Sequence, residues 1–406
     1  MPENLITTKK LSNTFWTAFF NAFLLPLSRF INQQIAYMQL LSKTFHGLED
    51  ILAQELKEIG AQNIVTHKRA VAYEGDKAMM YRANMALRTA LNVLMPIKEF
   101  TIENQNDFYE KVRAIDWGQY FKVRKTILVN ATANSPIFDH SHFLELRTKD
   151  AIADYFSDKA GRRPNVDKEN PQVRIDVYLS NNNCTISLNS SGEALFKRGY
   201  RAHHGQASLN EVLAAGMVLK TGWQGQNELV DPFCGSGTIL TEAALIAANI
   251  RPGSYRTQFG FEHWIDFDRK ILELVQEEDD QKKIEVPILG VDNSPRQIGF
   301  SKANIQSAFL QKYIAVQTGD FESVQGEDER GTIITNPPYD KRVKTHEIDR
   351  LYRRFGDHLK QQFKGYDAWV LSGNDHAIRN IGLKTNSRTV LFNGPIETRL
   401  CEYKLF

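Results

Sequence analysis

The chain has 406 residues, 42% of them hydrophobic and 24% charged, with a formal net charge of +2. This length and composition predict a globular protein of two or three domains. The net charge is too small to indicate nucleic-acid binding by itself. The three cysteines are too few and too scattered for a disulfide framework or a zinc site, which predicts a metal-free cytoplasmic protein.

Residues 1–37 differ in character from the rest of the chain. Lys9 and Lys10 precede an apolar run at residues 14–31, which Asn21 and Pro26 interrupt. The run lacks a small-residue cleavage site and is short for a spanning helix, so we expect neither secretion nor a membrane anchor. The segment is predicted to be an N-terminal extension: either a packed or interfacial helix, or a flexible stretch that is not native to the fold.

Residues 38–98 are predicted to form a small α+β subdomain. A strand starts at Met38, and a helix follows at residues 47–60 with apolar side chains on one face and Gly60 as its stop. Residues 63–75 indicate another strand or a strand pair. Residues 76–94 are predicted to form a second helix.

Residues 99–195 are predicted to form a second α+β domain. Its elements are a helix at 107–121, a strand at 125–135, a helix at 141–161 and a hairpin that turns at residues 181–183. Basic residues cluster in both N-terminal parts and most densely after residue 196, where they suggest phosphate contacts or merely a soluble hinge. The candidate RNA contacts are Lys68, Arg69, Arg162, Arg163, Lys197, Arg198, Arg201 and His203.

In residues 196–406, strands alternate with helices. A helix after Leu209 leads into strands near residues 229, 288, 315, 333 and 369, with helices between them and a terminal hairpin from residue 389. This order predicts an α/β, Rossmann-like domain: a doubly wound, mostly parallel sheet with an antiparallel C-terminal hairpin. Ligands bind such sheets at the carboxyl ends of the strands.

The stretch DPFCGSGT, residues 231–238, joins the first of these strands to an apolar helix. Gly235 and Gly237 allow a tight turn and close approach of a ligand to the backbone. The loop lacks the lysine of a phosphate-binding P-loop, and the next strand-end acid, Asp292, lies too far along for a dinucleotide fingerprint. The loop therefore favours a nucleoside ligand without phosphate.

Three aspartates follow successive strands and are predicted to meet at one edge of the sheet. Asp231 is placed to receive an ammonium group, directly or through water. Asp292 is placed to accept both hydroxyls of a ribose, and Asp320 to accept from an adenine amine, with Phe321 packing on the ring.

The stretch TNPPY, residues 335–339, leaves the next strand through a stiff double-proline turn. The Asn336 side-chain oxygen and the Pro337 carbonyl can together hold both hydrogens of an exocyclic amine and direct its lone pair. Pro338 stiffens the turn, and Tyr339 offers a face for a base to stack on. Such a base must be single-stranded or flipped out of a duplex.

The glycine loop together with TNPPY resembles the class I S-adenosylmethionine-dependent methyltransferases that act on exocyclic amines. Residues 196–406 are similar to the bacterial THUMP-containing large-subunit ribosomal RNA guanine-N2-methyltransferases, and residues 38–195 resemble that family's ferredoxin-like and THUMP module. The resemblance implies a ferredoxin-like subdomain at 38–98, a THUMP-like RNA-binding domain at 99–195 and a methyltransferase domain at 196–406. It assigns S-adenosylmethionine to Asp231, Cys234, Gly235, Ser236, Gly237, Thr238, Asp292 and Asp320, and the target amine to Asn336, Pro337, Pro338 and Tyr339. Phe233, Phe321 and Asn293, which stands where the family often has an acidic or other polar residue, are predicted to complete the cofactor site.

The resemblance thus predicts an RNA methyltransferase that modifies the N2 amine of guanine, with 23S ribosomal RNA as the favoured substrate, without a metal or a covalent enzyme intermediate. Cys234 lies in the predicted cofactor loop, so it is assigned to packing and not to nucleophilic catalysis. The alternatives are a transfer RNA guanine-N2 or a DNA or RNA adenine-N6 methyltransferase, a protein glutamine methyltransferase, and a non-enzymatic ribosome-assembly factor.

Overall fold

The structure is a computed structural model that describes residues 37–202, 208–278, 280–339 and 345–406. Residues 38–406 form one compact unit. The predicted apolar run at residues 14–31 lies outside the described residues. Among the helices that are described, none combines the length and the apolar character needed to cross a bilayer.

The first half of this unit is an α+β region built on a seven-stranded sheet. Its strands are β1 (Met38–Lys43), β2 (Gln62–His67), β3 (Ala70–Gly75), β4 (Asn92–Thr101), β5 (Ile127–Asn134), β6 (Val173–Ser180) and β7 (Asn183–Asn189). Its helices are α1 (Glu49–Glu58), α2 (Lys77–Ala86), α3 (Gln105–Arg113) and α4 (Ser141–Ala160).

The strand order is β2-β3-β1-β4-β7-β6-β5, with every pair antiparallel except β5 and β6. The sheet runs through both predicted N-terminal parts because β4 pairs with β1 on one side and with β7 on the other. Strand β4 therefore crosses the predicted division between residues 98 and 99.

The predicted helix at residues 76–94 is wrong in its second half. Helix α2 begins after Asp76, whose side chain caps it by accepting from the Met79 backbone N–H, and it ends at Ala86. Residues 92–101 instead form β4, in which Pro96 is tolerated at an irregularity in the pairing with β7. Strand β4 pairs with β1 on one side and β7 on the other. This pairing outweighed the helix-like spacing of the apolar side chains in this stretch.

The second half is an α/β domain on a second seven-stranded sheet. Its strands are β8 (Glu228–Asp231), β9 (Ile288–Asp292), β10 (Ile314–Thr318), β11 (Gly331–Thr335), β12 (Asp367–Ser372), β13 (Ser387–Asn393) and β14 (Ile396–Lys404). Its helices are α5 (Glu211–Thr221), α6 (Thr238–Ala247), α7 (Arg269–Glu277), α8 (Pro295–Ser307), α9 (Thr345–Gln362) and α10 (Asp375–Arg379).

The order of this sheet is β10-β9-β8-β11-β12-β14-β13. Strands β8 to β12 are parallel, and β14 and β13 add an antiparallel edge. The predicted fold class is confirmed: a doubly wound, mostly parallel sheet with a C-terminal hairpin follows an α+β module. Strand order reverses between β8 and β11, so their carboxyl ends open a crevice there.

The two halves share buried contacts. Residues 259–275, which lie between α6 and β9 in the chain, pack into the core of the N-terminal half. Within this contact the Phe261 ring stacks on Tyr81 with 4.0 Å between ring centroids. In the other direction, Leu48 of the N-terminal half is buried in the core of the second half. The methyltransferase-like half is therefore held against the N-terminal module by apolar surface on both sides.

Candidate active site

A cavity of about 510 Å³ lies at the carboxyl ends of strands β8 to β11. All the residues that the sequence assigned to the cofactor and the target amine line it except Gly237. Several lining residues were not predicted from the sequence: Ser208, Leu209, Pro232, Ile239, Gln297, Leu351, Asn393 and Ile396.

The glycine loop is shaped by its backbone. Gly235 and Gly237 have φ angles of +52° and +78°, which an L side chain rarely adopts. A methyl group on Gly235 would face open space, whereas one on Gly237 would lie 2.3 Å from the Ser301 hydroxyl. Gly235 thus leaves room for a ligand, and Gly237 allows α6 and α8 to approach each other.

Asp231 is buried at the cavity wall. Its Oδ1 accepts from the Phe233 backbone N–H at 3.1 Å and from the Thr335 hydroxyl at 2.7 Å. Its Oδ2 is buried without a hydrogen-bond partner among the described residues. Burial raises the pKa of this carboxyl to about 7, so the site is suited to an ammonium group that would favour the ionised form.

Asp292 ends β9 and reaches back to the glycine loop. Its two carboxylate oxygens accept from the backbone N–H groups of Gly235, at 3.0 Å, and Ser294, at 2.9 Å. Each oxygen keeps a second lone pair, which suits the predicted pair of ribose hydroxyls. Its neighbour Asn293 lines the same wall of the cavity.

The predicted adenine end of the cavity is aromatic. Phe321 is buried and lies 5.2 Å, centroid to centroid, from the Phe233 ring. Asp320 caps the short helix that follows, accepting from the Glu322 backbone N–H at 3.1 Å. The Arg354 guanidinium, which sequence reasoning missed, lies 5.3 Å from the Phe321 ring centroid.

The Cys234 thiol is buried, and burial raises its pKa well above the usual range. A methyl group on Gly290 would lie 3.0 Å from both the Cβ and the Sγ of Cys234, so the side chain packs against the β9 backbone. A thiol held protonated in this way is a poor nucleophile.

The TNPPY turn forms the opposite wall of the cavity. Asn336 Oδ1 is buried and has no hydrogen-bond partner among the described residues, although a buried acceptor ordinarily has one. Pro337 and Pro338 follow it along the cavity. Tyr339 is half-buried, and its hydroxyl accepts from Asn393 Nδ2 at 2.8 Å. A rigid wall with an unused acceptor is suited to hold an N–H donor.

Two of the predicted RNA contacts are wrong. The Arg198 side chain is only 1% exposed and pairs with the buried Glu242 at 3.4 Å. The Arg201 side chain is 7% exposed, pairs with Glu211 and donates to the Thr238 hydroxyl at 3.0 Å. Both arginines brace the segment before the cofactor loop because their charges are paired inside the protein.

The other predicted basic contacts are on the surface. These are Lys68, Arg69, Arg162, Arg163 and Lys197, of which Arg163 pairs with Asp154 and Lys197 with Glu193. His203 lies outside the described residues. Within the described ranges, no group of three or more His, Cys, Asp or Glu side chains is placed to hold a metal ion.

Comparison with known proteins finds family matches for three parts of the chain. Residues 198–402 match the family described as the RMKL-like methyltransferase domain, residues 103–189 match the THUMP domain, and residues 39–94 match the RlmL ferredoxin-like domain. The first match covers just over half of the 406 residues.

Two curated relatives extend over nearly the whole chain. A Synechocystis sp. protein, whose name assigns it provisionally to the RNA methyltransferases, is 38% identical over 89% of this chain and 95% of its own length. The ribosomal RNA large subunit methyltransferase K/L of Syntrophotalea carbinolica is 33% identical over 88% of this chain. The chain spans about half of that relative, 52% of its length.

Two solved structures share the fold. The protein SMU.472, whose name assigns it provisionally to the methyltransferases and which was solved with S-adenosylhomocysteine (SAH), is 25% identical with a TM-score of 0.82, covering 91% of this chain and 98% of its own. A Listeria monocytogenes protein, whose name assigns it provisionally to the N6-adenine-specific DNA methylases, is 28% identical with a TM-score of 0.81, covering 92% of this chain and 98% of its own. The methyltransferase fold and family confirm S-adenosylmethionine as the cofactor. The chain belongs to the RMKL-like methyltransferase family and carries the RlmL-type ferredoxin-like and THUMP domains in front of the methyltransferase domain.

Proposed function

We propose that the protein methylates the exocyclic N2 amine of a guanine in large-subunit ribosomal RNA. The observation that carries the proposal is the buried Asn336 Oδ1, an acceptor without a described partner in the wall of a cavity that also holds Asp231 and Asp292. A pocket that offers acceptors and no cysteine nucleophile suits an amine target. The names of the K/L relatives and the THUMP domain support ribosomal RNA as the substrate.

Bound S-adenosylmethionine supplies an electrophilic methyl group. Asp231 and Asp292 would bind its ammonium and ribose, while Phe321 would pack on its adenine. Asn336 Oδ1 and the Pro337 carbonyl would accept the two N–H groups of the target amine, and Tyr339 would stack on the base. The lone pair of this nitrogen is otherwise delocalised into the purine ring, and two fixed acceptors localise it on the nitrogen. Because these groups are preorganised, they need not reorganise during the reaction.

The N-terminal half would hold the RNA. We propose that residues 38–98 and 99–195 act as the ferredoxin-like and THUMP-like domains, and residues 196–406 as the methyltransferase domain. The exposed basic residues Lys68, Arg69, Arg162 and Arg163, together with Lys197 at the start of the second half, would contact phosphates. Burial of the free thiols of Cys184, Cys234 and Cys401 is consistent with the proposed cytoplasmic location.

Adenine-N6 methylation is the second candidate function, because the same pocket chemistry fits any planar exocyclic amine and one structural relative is titled as an adenine DNA methylase. Transfer RNA is the competing guanine substrate. An assembly factor without activity is disfavoured, because the predicted cofactor and amine side chains all lie together at the cavity.

The test is to incubate the full chain with isotopically labelled S-adenosylmethionine and unmodified large-subunit ribosomal RNA, and to digest the product to nucleosides. We expect labelled N2-methylguanosine. Label in N6-methyladenosine would overturn the base assignment, and label on transfer RNA alone would overturn the substrate. Cofactor binding without label on any nucleic acid would favour the assembly factor.

A further inference from the structure

The turn of the C-terminal hairpin forms part of the wall of the active-site cavity. Asn393, the last residue of β13, and Ile396, the first residue of β14, both line the cavity. Asn393 Nδ2 donates to the Tyr339 hydroxyl at 2.8 Å. The ring on which the target base is proposed to stack is therefore tethered from a residue 54 positions further along the chain.

The Tyr339 ring also lies against bare backbone. A methyl group on Gly373, which follows β12, would come within 2.9 Å of Tyr339 Cε2 and within 2.9 Å of Ile396 Cγ2. Real Cβ atoms essentially never lie so close to a neighbour. Because Gly373 has no side chain, the edge of the Tyr339 ring packs against its backbone, and the hydrogen bond from Asn393 fixes the hydroxyl end of the ring.

The residue before Asn393 contacts the N-terminal module. The Phe392 ring lies 5.8 Å, centroid to centroid, from the His46 ring. The Arg69 guanidinium carbon lies 5.9 Å from the centroid of the same Phe392 ring. Gly47 faces the same strand, since a methyl group there would lie 2.4 Å from the Val390 carbonyl oxygen. The module that we propose binds RNA is packed against the strand that tethers Tyr339.

We propose that Asn393 is a positioning residue for the target base and that it acts through the Tyr339 hydroxyl. The proposal rests on the proposed function, in which Tyr339 stacks on the flipped base. The plane of that ring sets where the exocyclic amine lies, and transfer to the amine requires reacting atoms about 3–3.5 Å apart in good alignment. If the Tyr339 ring can rotate away from this position, the target amine is held in the reactive alignment less often.

A double-mutant cycle tests the hydrogen bond. Asn393→Ala and Tyr339→Phe each delete it, and each leaves the stacking ring in place. We expect turnover at saturating RNA to fall about five- to tenfold in each variant, the scale of one neutral hydrogen bond, with S-adenosylmethionine affinity unchanged. The double variant should be no slower than the slower single variant, because residues that act through one contact are not additive.

The matched control is Asn386→Ala. Asn386 lies just before β13, and its Nδ2 donates to the Glu402 carboxylate at 2.8 Å, outside the cavity. This variant loses an asparagine hydrogen bond at the same hairpin and should keep wild-type turnover. Gly373→Ala keeps the Asn393 hydrogen bond donor but crowds the ring, and it should lower turnover with unchanged cofactor affinity.

Two results would overturn the inference: wild-type turnover in Asn393→Ala, or losses in Asn393→Ala and Tyr339→Phe that multiply in the double variant. Equal losses in Asn393→Ala and Asn386→Ala would mean that the hairpin matters only for stability, and melting temperatures would show it. The proposed function fails separately, when the wild-type protein labels no guanine at all.

Discussion

Asp292 Oδ2 accepts a hydrogen bond from the Gly235 backbone N–H at 3.0 Å. The carboxylate proposed to bind the ribose is thus also the group that fixes the first glycine of the cofactor loop. Two parts of the cofactor site, which are 57 residues apart in the chain, depend on one side chain.

Asp292→Ala should therefore weaken S-adenosylmethionine binding on the order of 2–4 kcal/mol, since it removes charge-assisted hydrogen bonds to the ribose and loosens the loop. Calorimetric titration of the full chain measures the loss. Asp292→Asn keeps an acceptor oxygen and should bind with intermediate affinity. Wild-type affinity in the alanine variant would remove Asp292 from the ribose role.

Asn336→Ala should reduce turnover at least about a hundredfold and leave cofactor affinity near wild type, because it removes one preorganised acceptor of the target amine. Single-turnover methylation of RNA measures the effect. Asn374→Ala is the control: Asn374 follows the next strand of the sheet, caps helix α10 and lies outside the cavity. Turnover retained in Asn336→Ala at saturating RNA would reduce the TNPPY turn to a structural role.

Asp231 should make the stability of the cofactor-free protein depend on pH. Burial raises its pKa to about 7, above the value near 4 in an unfolded chain, so between these values the folded state binds the extra proton. The contribution of this carboxyl to the free energy of unfolding should therefore be largest below pH 4, fall by up to about 1.4 kcal/mol per pH unit between pH 4 and pH 7, and level off above pH 7.

Denaturant titrations of the wild type and of the neutral analogue Asp231→Asn, at matched pH values, isolate this contribution. The difference between the two should grow as pH rises from 4 to 7. Cofactor affinity should change in the opposite sense, rising with pH in the wild type because the ammonium favours the ionised carboxylate. A pH-independent difference in stability would contradict the raised pKa.

Arg198 and Lys197 are adjacent in sequence and should behave differently. Arg198→Met leaves the buried Glu242 without its guanidinium partner and should destabilise the protein by about 3–5 kcal/mol. Lys197→Ala alters an exposed side chain and should leave the unfolding free energy unchanged. It should reduce the slope of log binding constant against log salt concentration for RNA by about 1, because about one fewer counterion is released on binding. Equal stability of the two variants would contradict the assignment of Arg198 to the core.

The sequence predicted that the residues assigned to the cofactor would meet at one edge of the sheet, because they end or follow strands. Asp231 and Asp292 end parallel strands and Asp320 lies two residues after one, and parallel strands bring their carboxyl ends to one edge. Asn393 was missed because it reaches the cavity through antiparallel pairing from the far end of the chain, which no local pattern indicates. The arginines at 198 and 201 were misjudged because charge density in a sequence does not reveal burial.

The continuous N-terminal sheet limits how this protein can be divided into fragments. Strand β4 gives one edge to β1 and the other to β7. Removing either N-terminal part would expose one edge of β4, with a row of unpaired backbone N–H and C=O groups. Such an exposed strand edge promotes aggregation. The ferredoxin-like and THUMP parts therefore depend on one shared strand, and a truncation between them should yield insoluble protein.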